Sequence, residues 1–355
     1  MKTVCLFGIF NSEYSRNKVL IEGFKKNNWR VIECRVDPHQ YPGWKKYWQL
    51  FKEWRRLKLV PDLVLVAYPG QTMVWLACLL FWHKLLVFDA FTSLYDSNVF
   101  DRRLYGQWSW RGGRDFLLDW HSLFLANIVL VDTDQHAKYF QKTFRIKAKK
   151  IVRVFVGTTI GGEFSAEEKS QKDDQIFLVH FHGHYIPLQG IEYIVKAAKI
   201  LEKEKDIKFK IIGHGQEFGK ISQLVERLKP VNIEFSLEVS FVALKQMILE
   251  SDLVLGIFGI TPKAERVIPN KIFEGLALGK AVLTADTPAI HELLTDKENV
   301  LLCQAGDPED LAQKILLIRD NLKLTQKIAT NGKDLINREI NPQKLVKKLI
   351  SNLNI

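Results

Sequence analysis

The densest run of chemically capable residues is KAERVIPNKIFEGLALGKAVLTADTPAIHELL, at 263–294. Pro269 marks a helix start and Gly279 a stop; the helix between them carries Asn270 and Lys271 in its first turn and Glu274 one turn further along. Free backbone N–H groups and the positive end of the dipole make a helix N-terminus a seat for a diphosphate. An ammonium and an amide beside that seat can bond phosphate oxygens. A carboxylate one turn on can accept hydrogen bonds from ribose hydroxyls. The same spacing also describes a capped surface helix with incidental charges, and spacing alone leaves both readings open.

Two further clusters carry candidate chemistry. In HFHGH (180–184) a continued strand would place His180, His182 and His184 on one face, which could suit a metal. Gly183 starts a turn there and no carboxylate or cysteine is close in sequence, so no metal is expected. In the first half, GIFNSEYSRN (8–17) leads from the first strand into the first helix. Its lone glycine lacks the GxGxxG spacing of dinucleotide enzymes, which lowers a dehydrogenase reading.

The segment YPGWKKYWQLFKEWRRLKL (41–59) has a different character. Trp44, Tyr47, Trp48, Phe51 and Trp54 recur at spacings of three and four, among Lys45, Lys46, Lys52, Arg55, Arg56 and Lys58, with Glu53 alone opposing. That pattern, Trp on the apolar face with Lys and Arg on its flank, suits an interfacial helix on anionic lipid. Each basic residue near such a surface contributes about 1 kcal/mol. The competing reading is a helix whose rings pack on the sheet and whose basic face is solvated. The apolar run MVWLACLLFW (73–82) is far short of the ~20 residues a membrane span needs. It is expected as a buried helix feeding a strand.

The elements that must position these groups alternate regularly. Strands are expected at 3–9, 31–36, 62–68, 84–88, 127–132 and 151–155, then at 176–181, 207–213, 232–236, 252–258, 280–285 and 299–303, each followed by a turn or helix signal. Helices are expected near 190–204, 217–229, 241–250 and 270–278, and NPQKLVKKLISNLNI closes the chain with an Asn-Pro helix start. Such a rhythm predicts two doubly wound α/β domains, residues 1–165 and 166–340, with a linker at 165–175 and a helix at 341–355 packing back on the first domain.

Charge separates the two halves. Residues 1–165 hold 25 Lys and Arg against 14 Asp and Glu, whereas residues 166–355 hold 26 of each, and all nine tryptophans lie in the first 120 residues. A basic, Trp-rich half suggests a surface that meets something negative and partly apolar. The four cysteines are scattered without a CxxC pair, which suits a reducing compartment and argues against a disulfide framework or structural zinc. With no signal peptide visible, the expected location is the cytoplasm, peripherally on the inner face of the cell membrane.

On these residues the chain resembles a known family. PNKIFEGLALGKAVLTADTPAIHELL is similar to the donor-binding helix of family-four retaining glycosyltransferases of the GT-B fold, where a Glu in a K-hydrophobic-aromatic-E-x-hydrophobic-A-x-G-K-x-V run holds the nucleotide ribose. FHGHYIPLQGIEYIV (181–195) resembles that family's first strand–loop–helix of the second domain, with Gly183 and Gly190 in matching positions. IIGHGQE (211–217) resembles its G-x-G-x-E loop beside the base, which brings in Gly213, His214, Gly215 and Glu217. The resemblance implies an α/β protein of two Rossmann-like doubly wound parallel-sheet domains facing a central cleft. It implies retaining, metal-independent transfer of a sugar from a nucleotide-diphosphate donor without a cofactor. Glu274 would hold the ribose, and Asn270 and Lys271 the diphosphate.

Two departures stand out. His184 and Gln189 occupy positions where the family commonly has Arg and Lys on the pyrophosphate, and Arg266 falls where a second Glu is usual. Lys263 and Arg266, with Lys271, are therefore expected to supply the missing positive charge. In the first domain the resemblance places Asp89 and Ser93 beside the reacting carbon. Asp89 would orient or deprotonate an acceptor hydroxyl, with a plain strand-end cap as the alternative; Arg102 and Arg103 follow in a loop suited to an anionic acceptor. The implied partners are a nucleotide-sugar donor, a lipid-linked or polysaccharide acceptor and an anionic membrane surface, with no nucleic acid. The rival readings are a nucleotide-sugar epimerase of the same fold, a nucleic-acid-binding protein, and a non-catalytic scaffold.

Overall fold

The computed structural model describes residues 1–37, 40–41, 43–160 and 175–353. The linker expected at 165–175 lies, apart from Gln175, outside them. The chain divides into two compact units, one of Met1–Thr159 with Glu339–Ile355 and the other of Ile160–Arg338.

The first unit runs β1 (Thr3–Ile9), α1 (Ser15–Lys26), β2 (Arg30–Val36), α2 (Lys45–Arg55), β3 (Leu63–Val66), α3 (Val74–Leu80), β4 (Leu85–Asp89), α4 (Trp110–Leu125), β5 (Ile128–Val131), α5 (Asp134–Phe144) and β6 (Ile151–Arg153). Its six strands form one parallel sheet in the order β2-β1-β3-β4-β5-β6. β1 (TVCLFGI) and β3 (LVLV) are buried at every position, as strands covered on both faces must be. Beneath the sheet, Arg16 on α1 is fully buried. It donates from Nε and Nη2 to both oxygens of Asp89 at the end of β4 (2.9–3.2 Å) and from Nη1 to the carbonyls of Val154 and Phe155. One guanidinium thus ties a helix, a central strand and the segment after β6.

The second unit runs β7 (Phe177–His182), α6 (Ile191–Ile200), β8 (Ile207–Ile212), α7 (Phe218–Leu228), β9 (Ile233–Ser236), α8 (Phe241–Glu250), β10 (Leu253–Leu255), α9 (Asn270–Ala277), β11 (Ala281–Ala285), β12 (Leu301–Cys303), α10 (Pro308–Asp320) and α11 (Leu322–Glu339). Its parallel sheet is ordered β12-β11-β10-β7-β8-β9. Strand order therefore reverses between β7 and β10, and ligands of open α/β sheets sit outside the carboxyl ends of the strands at such a switch point. His182 is the last residue of β7.

The last helix, α12 (Pro342–Ser351), starts as the Asn-Pro signal requires: the Asn341 side chain accepts from the Lys344 N–H and Pro342 occupies the first turn. It buries Leu345, Val346 and Leu349. It belongs to the first unit, where the Asn27 side chain donates to the Gln343 carbonyl and the Gln343 side chain to the Lys26 carbonyl, joining the end of α1 to α12. All four cysteines are free thiols.

Candidate functional site

At the carboxyl end of β7 the second unit gathers polar side chains from two distant segments. Glu274 and Lys271, on successive turns of α9, are both buried, at 6% and 4% exposure. Glu274 Oε2 lies 2.9 Å from His182 Nε2, and His182 Nδ1 lies 3.0 Å from His180 Nε2. Lys271 Nζ donates to Gln189 Oε1 and stands 3.7 Å from the centre of the Phe181 ring. Burial pushes the Lys271 ammonium well below its ordinary pKa, and the nearby charge of Glu274 opposes that shift. A buried cation bonded to a neutral amide and a ring face is incompletely compensated, and an anion entering here would complete it.

Glycine is required at two positions around this cluster. At Gly183 (φ +151°) a Cβ would lie 2.9 Å from Lys271 Nζ, so the absence of a side chain makes room for the ammonium. At Gly213 (φ +137°) a Cβ would lie 2.0 Å from the Gly183 carbonyl oxygen. The two loops can then run backbone against backbone: Gly183 N donates to Ile212 O, Tyr185 N to His214 O and Glu217 N to Tyr185 O, at 2.9–3.0 Å. Beside them a cavity of about 220 Å³ is lined by His182, Gly183, His184, Ile212, Gly213, Glu238, Val239 and Leu244.

The residues singled out from the sequence divide as follows. Gly183, Gln189, Lys271 and Glu274 converge, and Asn270 opens the helix that carries the last two. His184 turns away after Gly183 and pairs with Glu238 at 3.2 Å, mostly exposed. His214 is exposed and its ring lies 4.6 Å from that of Phe218; the Gly215 N-terminal side of α7 continues to Glu217, which faces Lys220 at 3.3 Å. Lys263 is buried and precedes the short 3-10 turn Ala264–Arg266 before α9, which the half-buried Arg266 ends. His182 was absent from the expected site. Alternation had grouped three histidines, but the turn at Gly183 separates His184 from the other two, and a carboxylate 92 residues away meets His182 instead. Among the described residues no group of three or more His, Cys, Asp or Glu could hold a metal ion.

Asp89 requires a correction. It is fully buried with both oxygens bonded to Arg16, so it presents no base to an acceptor. The partner that fixes it lies 73 residues earlier, at the start of α1. Ser93 is likewise buried, donating to Asp119 Oδ2 at 2.6 Å, and burial pushes the Asp119 carboxyl up to about 6.

The outer face of the first unit also differs from expectation. Of the five rings on or just before α2, only Trp44 and Trp48 are exposed (72% and 53%); Tyr47 and Trp54 lean on the core, their rings 6.2 Å from Trp75 and 6.4 Å from Phe81. α3 is not wholly buried, because Trp75, Leu79 and the following Trp82 face outward. On α4, Trp110, Leu117, Trp120 and Phe124 form a second exposed stripe at helical spacing, flanked by exposed Arg111 and Arg114. A cavity of about 460 Å³ is lined by Trp54, Leu57, Phe81 and Trp82 with Arg55 and Lys84 among its walls. Its Pro61 and Lys84 precede β3 and β4, so it lies at the amino ends of those strands. No described helix is long and apolar enough to cross a membrane.

Comparison with known proteins gives these features a context. Residues 163–335 match the family described as glycosyl transferases group 1, so the resemblance read from the sequence holds over that span. A protein of Methanocaldococcus jannaschii, named an uncharacterized glycosyltransferase, is 27% identical over 154 residues, which are 43% of this chain and 41% of that protein. The chain thus spans less than half the length of this curated relative. Among solved structures, Anabaena HepE in complex with UDP and glucose aligns over 100% of this chain and 99% of its own, with a TM-score of 0.73 and 15% identity. Sucrose-phosphate synthase from Thermosynechococcus elongatus aligns over 99% and 98%, with a TM-score of 0.70 and 12% identity. The fold is GT-B.

Proposed function

We propose that this chain is a retaining glycosyltransferase that moves a sugar from a nucleotide-diphosphate donor to a lipid-linked or surface-glycan acceptor at an anionic membrane face. The observation that carries the reading is the convergence of Lys271 and Glu274 on the end of β7 at the strand-order reversal. Glu274 offers its free oxygen to ribose hydroxyls. Lys271 and the N–H groups opening α9 receive the diphosphate, whose charge grows as the glycosidic bond to the sugar breaks. A preorganised cation in a dry site stabilises that leaving group without reorganising water, which is the larger part of such catalysis. Lys263 and Arg266, in the loop entering α9, add positive charge close in sequence to the helix start. The family match over residues 163–335 supports the reaction class. UDP-sugars are the first donors to try, because Anabaena HepE is solved with UDP-glucose.

The acceptor side rests on the first unit's outer face, where exposed Trp44, Trp48, Trp75 and Trp82 stand among Lys45, Lys52, Arg55 and Arg56. Indole rings with flanking cations suit the headgroup region of an anionic bilayer. The test is transfer of labelled sugar from UDP-, GDP- and ADP-sugars to lipid-linked acceptors in phosphatidylglycerol vesicles, with the product anomer read by NMR. Transfer with retained configuration, faster on anionic than on neutral vesicles, is expected. An inverted product, or no transfer from any donor, would overturn the reading.

A further inference from the structure

We propose that His180 and His182 act together as a positioning pair that fixes the Glu274 carboxylate for its ligand, through a one-way chain of hydrogen bonds. The proposal rests on the reading of Glu274 as the ribose-binding carboxylate. The two histidines lie two residues apart on β7 and so share one face of the strand. Their ring centres are 5.1 Å apart; His180 is fully buried and His182 is 8% exposed.

The proton positions follow from partner chemistry. A carboxylate only accepts, so at the 2.9 Å contact the hydrogen belongs to His182 Nε2. In a neutral ring His182 Nδ1 is then bare and accepts from His180 Nε2–H across 3.0 Å. His180 Nδ1 is left bare as well, and it has no hydrogen-bond partner. The alternative reverses the chain. An imidazolium at His182 would donate from Nδ1 to His180 Nε2, forcing the proton of a neutral His180 onto Nδ1, where a buried N–H would find no acceptor. A buried orphan N–H is rarer and costlier than a bare acceptor nitrogen. Burial foremost, with the Lys271 and Lys210 charges adding to it, holds the His180 pKa well below its ordinary value, in keeping with a neutral ring.

The consequence is directional. Oε2 of Glu274 is held by a donor that is itself held in one tautomer, so the carboxylate keeps one orientation and Oε1 remains for a ligand hydroxyl. Neither histidine need touch the ligand through this chain; both act through Glu274.

Long-range 1H–15N correlation spectra of histidine-labelled wild-type protein test the chain directly, with His180→Phe and His182→Gln used for assignment. The expected spectrum at neutral pH shows both rings neutral with the proton on Nε2. A proton on His182 Nδ1, whether as the other tautomer or as imidazolium, would overturn the proposal. Calorimetry supplies the functional arm, using whichever of UDP, GDP and ADP binds wild type most tightly. His182→Phe is expected to weaken that nucleotide about tenfold, and His182→Gln, which keeps a donor where Nε2 stood, to recover most of the loss. Neither change should add to Glu274→Ala. In turnover the loss should appear in donor KM, with kcat within about twofold. If Glu274→Ala weakens the nucleotide but His182→Phe does not, the positioning pair is refuted while the ribose reading stands. If Glu274→Ala itself has no effect, both fall.

Discussion

Arg16 and Lys271 are both deeply buried cations near the carboxyl ends of parallel strands, one in each unit, and they are treated differently. Arg16 forks onto both oxygens of Asp89 and spends a further nitrogen on two carbonyls. Lys271 gives its hydrogen bond to the amide of Gln189 and otherwise faces the Phe181 ring. The first arrangement is complete, so it holds the fold and offers nothing to a ligand. The second is held short of charge compensation, which raises the free energy of the ammonium until an anion arrives. Elsewhere in the first unit Asp119 is similarly occupied, accepting from the Ser93 hydroxyl and from the backbone N–H groups of Leu94 and Tyr95 at 2.6–3.1 Å. The first unit also carries exposed indoles and cations on its surface, whereas the candidate site of the second unit is a buried cluster.

The contrast can be broken most severely at Arg16. Arg16→Met leaves Asp89 buried without its cation, and removing one partner of such a pair costs about 3–5 kcal/mol. Chemical denaturation should show that loss, and Arg16→Met with Asp89→Leu should recover much of it. An unchanged midpoint for the single variant would mean that the pair is not structural.

Lys271→Met should do the reverse. Losing charged hydrogen bonds to phosphate costs about 2–3 kcal/mol, or roughly 100-fold in nucleotide affinity, while stability without nucleotide should hold or rise. The pH dependence has a definite sign. The folded pKa of Lys271 is depressed below the unfolded value of about 10.4, so between the two the unfolded chain binds more protons. Wild-type stability relative to Lys271→Met should therefore improve as pH rises through that window. Nucleotide binding should draw a proton onto Lys271, seen as a dependence of binding heat on buffer ionisation enthalpy. Proton release would contradict this.

The smallest effects belong to the outer face. Trp48→Ser and Lys52→Glu should each lower affinity for phosphatidylglycerol vesicles in sedimentation assays, the charge change by about fivefold or more at ~1 kcal/mol per cation. Both side chains are exposed, so thermal midpoints should move little. Equal vesicle binding by both variants would remove that face from the account.

How much of this was readable in advance depended on whether the information was local. The twelve strands among the described residues were each legible as short runs rich in β-branched or aromatic residues; those buried at every position, such as β1, β3 and β11, carry the signal in consecutive residues. Lys271 and Glu274 were visible because one short helix carries both. The bond from His182 to Glu274 was not, since it joins residues 92 apart and no periodicity reports it. Arg16 lies in a polar stretch, SRNK, that reads as a solvated helix start; only the folded sheet brings Asp89 above it. From sequence, Asp89 at a strand end fits an acceptor base or a plain cap equally, and only the folded sheet, with Arg16 on both its oxygens, decides between them. The run at 73–82 shows a different limit: apolarity marked it for burial, yet Trp75, Leu79 and Trp82 face outward. Composition alone does not separate a residue bound for the core from one that awaits an outside partner.

The most direct test of the central claim, that the end of β7 and the start of α9 bind a nucleoside diphosphate, is calorimetry of UDP, GDP and ADP with wild type and Glu274→Ala side by side. Binding of one nucleotide at micromolar level, lost in the variant, is the predicted result. If none of the three binds wild type, or the variant binds as tightly, the claim is wrong.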